Sequence, residues 1–420
     1  MFTFKRTAWL GLGLSCLLVT NISFAEAISL AKAESIALDR DAVLSMKRAQ
    51  TQAFIEKSVA ADTLPDPRIK LGLLNFPTDT FERDQEPMTQ LRLGLQQMFP
   101  RGDTLELKSK KAMASGDMSK AGVVNREAML RMQVRSTFLE LLYWLHAEKV
   151  VKKNKTLFKQ LVTITQSQYA SGGRRQQDVI RANLESDMLD DRMDMIKTKQ
   201  QTIRAKLAKL IGTEAANQIE TSMPELADIK TNTDVQTLLQ AHPMIQMKDA
   251  KVNNGQYGIE LARQSYKPSW MFELGYGFRD GTNPNGSERA DFASAMISFD
   301  VPLFTKDKQD RQVAASRLTY QAAVDEREES LRELTSQYQQ TLAKWNKLAS
   351  RLYRYEKTIV PQAHENSEAS LHGYQSRRAD FTSLMRARIT ELETNLKHLR
   401  LKVDHRKAQA RLLYLTGEAS

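Results

Sequence analysis

Beyond its first 25 residues this sequence contains no cysteine. The only one among the 420 residues is Cys16, which lies inside a short apolar run near the amino terminus. Once that run is removed, no disulfide can hold the remaining chain, so packing or assembly with other chains must stabilise it. A second interpretation makes Cys16 a lipid attachment site, but Gly13 stands three residues before it, where such sites usually have leucine.

Long hydrophobic runs are also missing after the amino terminus. Lys5-Arg6, the apolar run from Ala8 to Val19 and the small residues of Ser23-Phe24-Ala25 form the three parts of a secretory signal peptide, predicted to span residues 1–25. No later segment offers the roughly 20 apolar residues of a membrane-spanning helix. The chain is therefore predicted to be exported, and export argues against nucleic acid as the partner of its formal charge of +11.

Proline is absent between Pro100 and Pro224, and good helix formers dominate this stretch. Their pattern predicts a helix from Arg101 to Gln168, which would be about 100 Å long at about 1.5 Å per residue. A rod of that length suits a coiled bundle or a tube rather than a compact domain. A second rod is predicted from Asp307 to Gly373, where Pro361 predicts a kink or the start of a new segment.

Residues 41–212 are echoed by residues 242–417. Matched residues keep their order while the offset between them drifts only from 201 to 205. Examples are Met46-Lys47 with Met247-Lys248, Tyr169 with Tyr374, and Gly212 with Gly417. One structural unit is therefore used twice, and a unit that cannot bury its own apolar face must pack on copies of itself.

Each repeat contains two extended runs, at about 68–76 and 89–99 in the first repeat and at about 269–279 and 293–301 in the second. Their length and alternating polarity are typical of tilted strands that cross an outer membrane. Aromatic residues near the strand ends suit the two membrane boundaries, but a soluble sandwich would also have aromatic residues in its strands. Four strands cannot close a barrel, and exposed strand edges are not tolerated in lipid. Three chains are therefore predicted to pool 12 strands into one barrel.

The predicted fold class is mainly α with a membrane β-barrel, in which a trimer forms a 12-stranded barrel on an α-helical tube. The repeat pattern divides the chain into a signal peptide (1–25), a first repeat (26–212), a connector (213–241) and a second repeat (242–420). The helical hairpins are predicted at 101–212 and 303–417.

Motifs that carry enzyme chemistry are missing from the sequence. There is no phosphate-binding loop, no dinucleotide glycine pattern and no zinc-protease helix. The six histidines are scattered, and none forms an i, i+4 pair or neighbours a cysteine. We therefore expect a protein that is not an enzyme and holds no cofactor and no resident metal.

The duplicated strands and the two tyrosine-containing turns before Arg181-Ala182 and Arg386-Ala387 resemble the TolC family of outer-membrane efflux channels. The segment 64–77, together with Pro87-Met-Thr and Gln97-Met-Phe-Pro-Arg-Gly102, is similar to the heavy-metal efflux subunits of the CzcC type. The resemblance implies a homotrimer that spans the outer membrane and reaches through the periplasm. It also implies two partners, a periplasmic adaptor protein and an inner-membrane pump of the RND type.

The same resemblance implies a periplasmic gate at the two helix turns, formed by Asp178, Tyr169 and Tyr374. A carboxylate at the position of Asp178 lines the entrance in the family, and threefold repetition would make it a ring that favours cations. Asp178 could instead be the N-cap of the following helix, and Tyr374 could be an ordinary packing residue. The second repeat has Ser383 where Asp178 stands in the first, and Arg377 where the family often has glycine.

Both turns carry paired arginines, and in the first turn Gly172 and Gly173 permit a close backbone approach. Guanidinium groups suit the carboxylates and carbonyls of a docked helical hairpin, although a solvated basic loop would look the same. We expect the adaptor to contact the turns through Gly172, Gly173, Arg174, Arg175, Arg377 and Arg378.

The sequence predicts a passive conduit of a three-part efflux system, with heavy-metal cations as the first candidate cargo. Two alternatives stay open at this point. One is a multidrug or type I secretion channel of the same fold, and the other is an exported coiled-coil scaffold without a pore.

Overall fold

The computed structural model describes residues 27–173, 175–229 and 234–417. The predicted signal peptide, Cys16 and Arg174 lie outside these residues. The described chain forms ten α-helices and four strands. In chain order they are α1 Leu30–Arg40, α2 Ala42–Ala61, β1 Arg68–Leu74, β2 Gln90–Phe99, α3 Thr104–Ala170, α4 Gln176–Ile211, α5 Thr213–Asn217, α6 Val235–Gln240, α7 Pro243–Gln264, β3 Trp270–Phe278, β4 Phe292–Phe299, α8 Gln309–Arg354, α9 Val360–Gln375 and α10 Phe381–Leu415.

In both repeats a side-chain cap begins the helix that leads to the strands. The sequence predicts one helix over residues 29–61, and this is wrong because Asp41 has an extended backbone between α1 and α2. Its carboxylate accepts a hydrogen bond from the Leu44 amide at 2.7 Å and pairs with Arg126 of α3 at 2.6 Å. His242, at the matching position of the second repeat, caps α7 through the Met244 amide at 3.1 Å.

The long first rod is confirmed as α3, which runs for 67 residues without interruption and is about 100 Å long at about 1.5 Å per residue. The second rod consists of α8, a π-helical turn at Tyr355–Ile359, and α9, with 46, 5 and 16 residues. Pro361 is the second residue of α9 and directly follows the π turn. The predicted break near this proline is therefore present, and it takes the form of a π turn.

The four strands form one antiparallel sheet in the order β1-β2-β3-β4. Its register places Ile69, Leu95, Leu274 and Ala295 in one row, so the outward apolar residues of all four strands share a face. Several of these side chains are 44–76% exposed, namely Ile69, Leu71, Leu73, Leu93, Leu95 and Leu274. The sheet therefore presents an open apolar face, and β1 and β4 are its edges.

The core lies along the helical hairpins rather than at a single centre. One buried cluster joins α3, α4, α9 and α10 through residues such as Phe158, Ile196 and Phe381. A second cluster packs α1 and α5 against α3 and α4, with Val134, Phe138 and Leu207 at its centre. Among the described helices, none is both long and apolar enough to serve as a membrane span.

Candidate functional site

The site predicted at the helix turns lies at the tip that joins α3 to α4 and α9 to α10. In the first turn α3 ends at Ala170, and Gly172 adopts a left-handed backbone with φ of 72°. The amides of Gly172 and Gly173 donate to the carbonyls of Tyr169 and Gln168, both at 2.9 Å. A left-handed residue just after a helix satisfies the terminal carbonyl groups, and glycine adopts it without steric cost.

The second turn uses the same geometry without a glycine. Arg377 takes the left-handed conformation with φ of 61°, at the position that matches Gly172. The amides of Arg378 and Ala379 both donate to the Gly373 carbonyl, at 2.8 and 3.0 Å. A residue with a Cβ atom loses about 1 kcal/mol or more in this region, so the second turn stores backbone strain that the first turn lacks.

Asp178 is not the N-cap of α4. The cap is Arg175, and Asp178 is the third residue of the helix, where a carboxylate still interacts favourably with the helix dipole. Asp380 is the N-cap of α10, and its carboxylate accepts a hydrogen bond from the Ser383 amide at 2.6 Å. The two repeats therefore both place a carboxylate in this turn, but at positions that differ by three residues.

A polar cavity of about 420 Å³ opens between the two turns. Its walls bring together the predicted gate residue Asp178 and the N-cap Asp380, with two guanidinium groups beside them. The lining residues are Gly173, Arg175, Gln177, Asp178, Arg181, Asp380, Phe381 and Thr382. The tip thus carries charges of both signs rather than carboxylates alone.

The two predicted gate tyrosines have opposite environments. Tyr374 is fully buried in the hairpin core, with its ring edge-on to Phe381 at 5.7 Å between centroids. Its hydroxyl donates a hydrogen bond to the Gln168 side-chain oxygen at 3.0 Å. Tyr169 is 46% exposed. Tyr374 therefore ties the end of α9 to the end of α3 within one protomer, whereas Tyr169 points to solvent.

Arg181 forms a second tie between the hairpins that the sequence did not mark as a site residue. Its guanidinium donates to the Thr382 hydroxyl of α10 at 3.1 Å. Further along, Arg192 of α4 pairs with Glu393 of α10 at 2.6 Å. The duplication could have marked this residue, because Arg181 recurs as Arg386. Only the fold shows that Arg181 is the copy that contacts the other hairpin.

A denser ion-pair network joins the rods farther from the tip. Glu140 of α3 accepts from Arg400 at 2.8 Å and from Lys407 at 2.9 Å, both on α10. Arg400 also pairs with Asp404 at 2.7 Å. Burial alone would raise the pKa of Glu140, but the hydrogen bonds from Arg400 and Lys407 outweigh it and lower that pKa to about 2.

The predicted adaptor-contact residues that the structure describes are exposed at the tip, and Gly173 and Arg175 also line the cavity. Gly172, Gly173, Arg175, Arg377 and Arg378 are all exposed, whereas Arg174 lies outside the described residues. No group of three or more His, Cys, Asp or Glu side chains that could hold a metal ion occurs in the ranges that the structure describes.

The rods, the tip and the sheet together have the fold of outer-membrane channels. The outer membrane protein VceC from Vibrio cholerae aligns with a TM-score of 0.77 at 17% identity, over 92% of this chain and 96% of its own. The open state of the MtrE outer membrane channel of Neisseria gonorrhoeae aligns with a TM-score of 0.77 at 15% identity, over 93% and 89%. CmeC, the outer membrane channel of Campylobacter jejuni, gives 0.76 at 12% identity, over 93% and 86%.

Part of the sequence also matches a known family. Residues 235–418 match the family model described as Outer membrane efflux protein. This stretch contains the second repeat almost entirely, with β3, β4 and the hairpin of α8 to α10. No curated protein sequence matches the chain. The predicted fold class, mainly α with a few strands, is confirmed by the described helices and sheet and by the matches to solved channel structures.

Proposed function

We propose that this protein is the outer-membrane channel of an efflux system, a passive conduit built from three copies of the chain. The observation that carries the proposal is the sheet. One face is apolar and open to the surroundings, the other holds every charged residue of the four strands, and the sheet stands on rods of about 100 Å. A lipid-facing side and a water-facing side are what a membrane strand needs.

The trimer follows from the edges of the sheet. β1 and β4 each present a row of backbone groups with no strand on their outer side in the described sheet. Lipid offers such groups no hydrogen bonds, so an open edge is not stable in a membrane. Pairing β4 of one copy with β1 of the next closes the barrel, and three copies supply 12 strands, an even number within the known range.

The helical tip is the proposed gate and docking surface. Tyr374 and Arg181 tie the two hairpins together, and Asp178 faces the polar cavity between them. Exposed Arg175, Arg377 and Arg378 suit the carboxylates and carbonyls of a periplasmic adaptor hairpin. An inner-membrane pump, of the RND type by resemblance, supplies the energy, because the channel has no motif for nucleotide chemistry.

Heavy-metal cations are the proposed cargo, supported by the resemblance of residues 64–77 and 97–102 to CzcC-type subunits. A multidrug or secretion channel of the same fold is the second candidate. Deletion of the gene followed by growth on a panel of metal salts and a panel of organic toxins separates them. Sensitivity to organic toxins alone would contradict the metal assignment.

The channel itself is tested by fractionation and conductance. The protein should remain in outer-membrane fractions after a high-salt wash and run as a trimer that dissociates on heating. In planar bilayers the purified trimer should give discrete conductance steps. A salt-extractable monomer without conductance would instead indicate the scaffold without a pore.

A further inference from the structure

Every charged side chain in the four strands lies on the same face of the sheet. The register puts Arg68, Lys70, Arg92 and Glu273 on the side opposite to the open apolar face. β4 contributes no charge, only small or apolar residues and two serines to this side. The polar face therefore carries three cations and one carboxylate, which is a net positive charge in each protomer.

The carboxylate is already compensated by two of these cations. Glu273 accepts a hydrogen bond from the Lys70 ammonium group at 2.6 Å and from the Arg92 guanidinium at 3.1 Å. The Glu273 side chain is only 8% exposed, whereas that of Lys70 is 50% exposed. Arg92 also reaches the Ser294 hydroxyl at 3.3 Å, so one polar cluster spans all four strands. What this cluster presents to water is mainly positive.

Two glycines make room for this cluster. Gly94 and Gly275 stand opposite each other in the register of β2 and β3, where a side chain would block the surface of the sheet. A Cβ atom on Gly275 would lie 2.8 Å from the Arg92 Nε atom and 2.7 Å from the Ser294 hydroxyl. The glycines thus let Lys70 and Arg92 lie flat across the sheet towards Glu273.

We propose that this face lines the lumen and that the Lys70–Arg92–Glu273 cluster makes the sheet end of the conduit prefer anions over cations. The inference rests on the proposed function, because the face becomes a lumen only in a closed barrel. A narrow pore with low-dielectric walls focuses the field of its lining charges. The favoured solutes are therefore anions and anionic complexes, so the proposed metal cargo would cross this segment as an anionic complex rather than as a bare divalent cation.

Two introduced cysteines can measure the local potential, because the chain has no cysteine after residue 16. Ser298→Cys lies on the polar face, about 7 Å along the strand from the level of Glu273. Ala295→Cys lies on the apolar face and serves as its control. Intact cells are treated with an anionic and a cationic methanethiosulfonate of similar size, and the ratio of the two labelling rates is recorded.

The anionic reagent should label Ser298→Cys faster, and Ala295→Cys should resist both reagents. Adding Lys70→Gln or Arg92→Gln should lower the anion-to-cation ratio by about fourfold, because one unit charge at about 10 Å in water changes each of the two rates about twofold, in opposite directions. Glu273→Gln should raise the ratio by a similar factor. Lys152→Gln, about 70 Å away along α3 at about 1.5 Å per residue, should leave it unchanged.

Two outcomes would overturn the inference while the protein still forms conducting, heat-dissociable trimers. One is a ratio that none of the three sheet variants changes. The other is labelling of Ala295→Cys in preference to Ser298→Cys, which would place the polar face away from water. Loss of trimers and conductance in the parent protein is a different result, since it would remove the proposed channel itself.

Discussion

Replacing Tyr374 with phenylalanine should open the proposed gate without disturbing the fold. The substitution keeps the buried ring and its contact with Phe381 and removes the hydroxyl that donates to Gln168 at 3.0 Å. Gln168 is only half-buried, so water can replace the lost donor. The change therefore acts on the tie between the hairpins rather than on the packing.

The magnitude follows from symmetry. One neutral hydrogen bond contributes about 1 kcal/mol net, and a trimer has three copies of it. If the three tips separate together, the closed state loses about 3 kcal/mol, which shifts the closed-to-open ratio by about 100-fold at about 1.4 kcal/mol per tenfold. Single-channel recording in planar bilayers measures this ratio directly as the open probability.

The duplication supplies a matched control. Tyr169→Phe removes the same hydroxyl from the equivalent residue of the first repeat, where the side chain is 46% exposed, and it should leave the open probability unchanged. A Gln168→Leu variant should raise the open probability at least as much as Tyr374→Phe, and the effects of the two changes should be less than additive in the double variant. Equal open probabilities for Tyr374→Phe, Tyr169→Phe and the parent protein would refute the idea that this bond holds the tip shut.

Three further predictions concern the turns and the ion pairs. Arg377→Gly should raise the temperature at which the trimer dissociates, because it relieves about 1 kcal/mol of left-handed backbone strain per chain. Gly172→Ala should lower that temperature by introducing the same strain, since the added atom itself meets open space. Identical midpoints for the parent and the two variants would contradict this. Glu140→Gln should lower the free energy of unfolding, measured with a chemical denaturant at pH 7, by about 2–3 kcal/mol. The difference from the parent protein should vanish as the pH falls from about 4.5 through about 2, because the pKa of Glu140 is lower in the native chain than in the unfolded one. Arg175, Arg377 and Arg378 changed together to Glu should preserve trimers and conductance but abolish efflux in cells, and retained efflux would remove them from the docking surface.

The repeat architecture was readable from the sequence because its signals are local. A proline-free stretch of good helix formers predicts α3 almost to its ends, and period-two alternation predicts the strands. Helix boundaries set by one side chain were less readable. Asp41 splits the first helix because its extended backbone and its pairing with Arg126 outweigh the continuous helical pattern.

At the tip, the duplication predicted which residues are equivalent but not what each one touches. Tyr169 and Tyr374 occupy matching positions, yet only Tyr374 is buried, because burial depends on how the two hairpins pack. The importance of Arg181 was missed for the same reason, since its partner Thr382 lies 201 residues away. Pairings across such distances have no periodic signature in one sequence.

The π turn at Tyr355–Ile359 has a consequence for the shape of the proposed trimer. Its i→i+5 bonding holds more residues per turn than the α-helix, yet the second rod has the same residue total as the uninterrupted α3. Beyond the wide turn, the side chains of α9 are therefore rotated relative to those at the matching level of α3. On the α8 side of the π turn the two repeats can be arranged almost equivalently around a common axis, whereas on the α9 side they must differ.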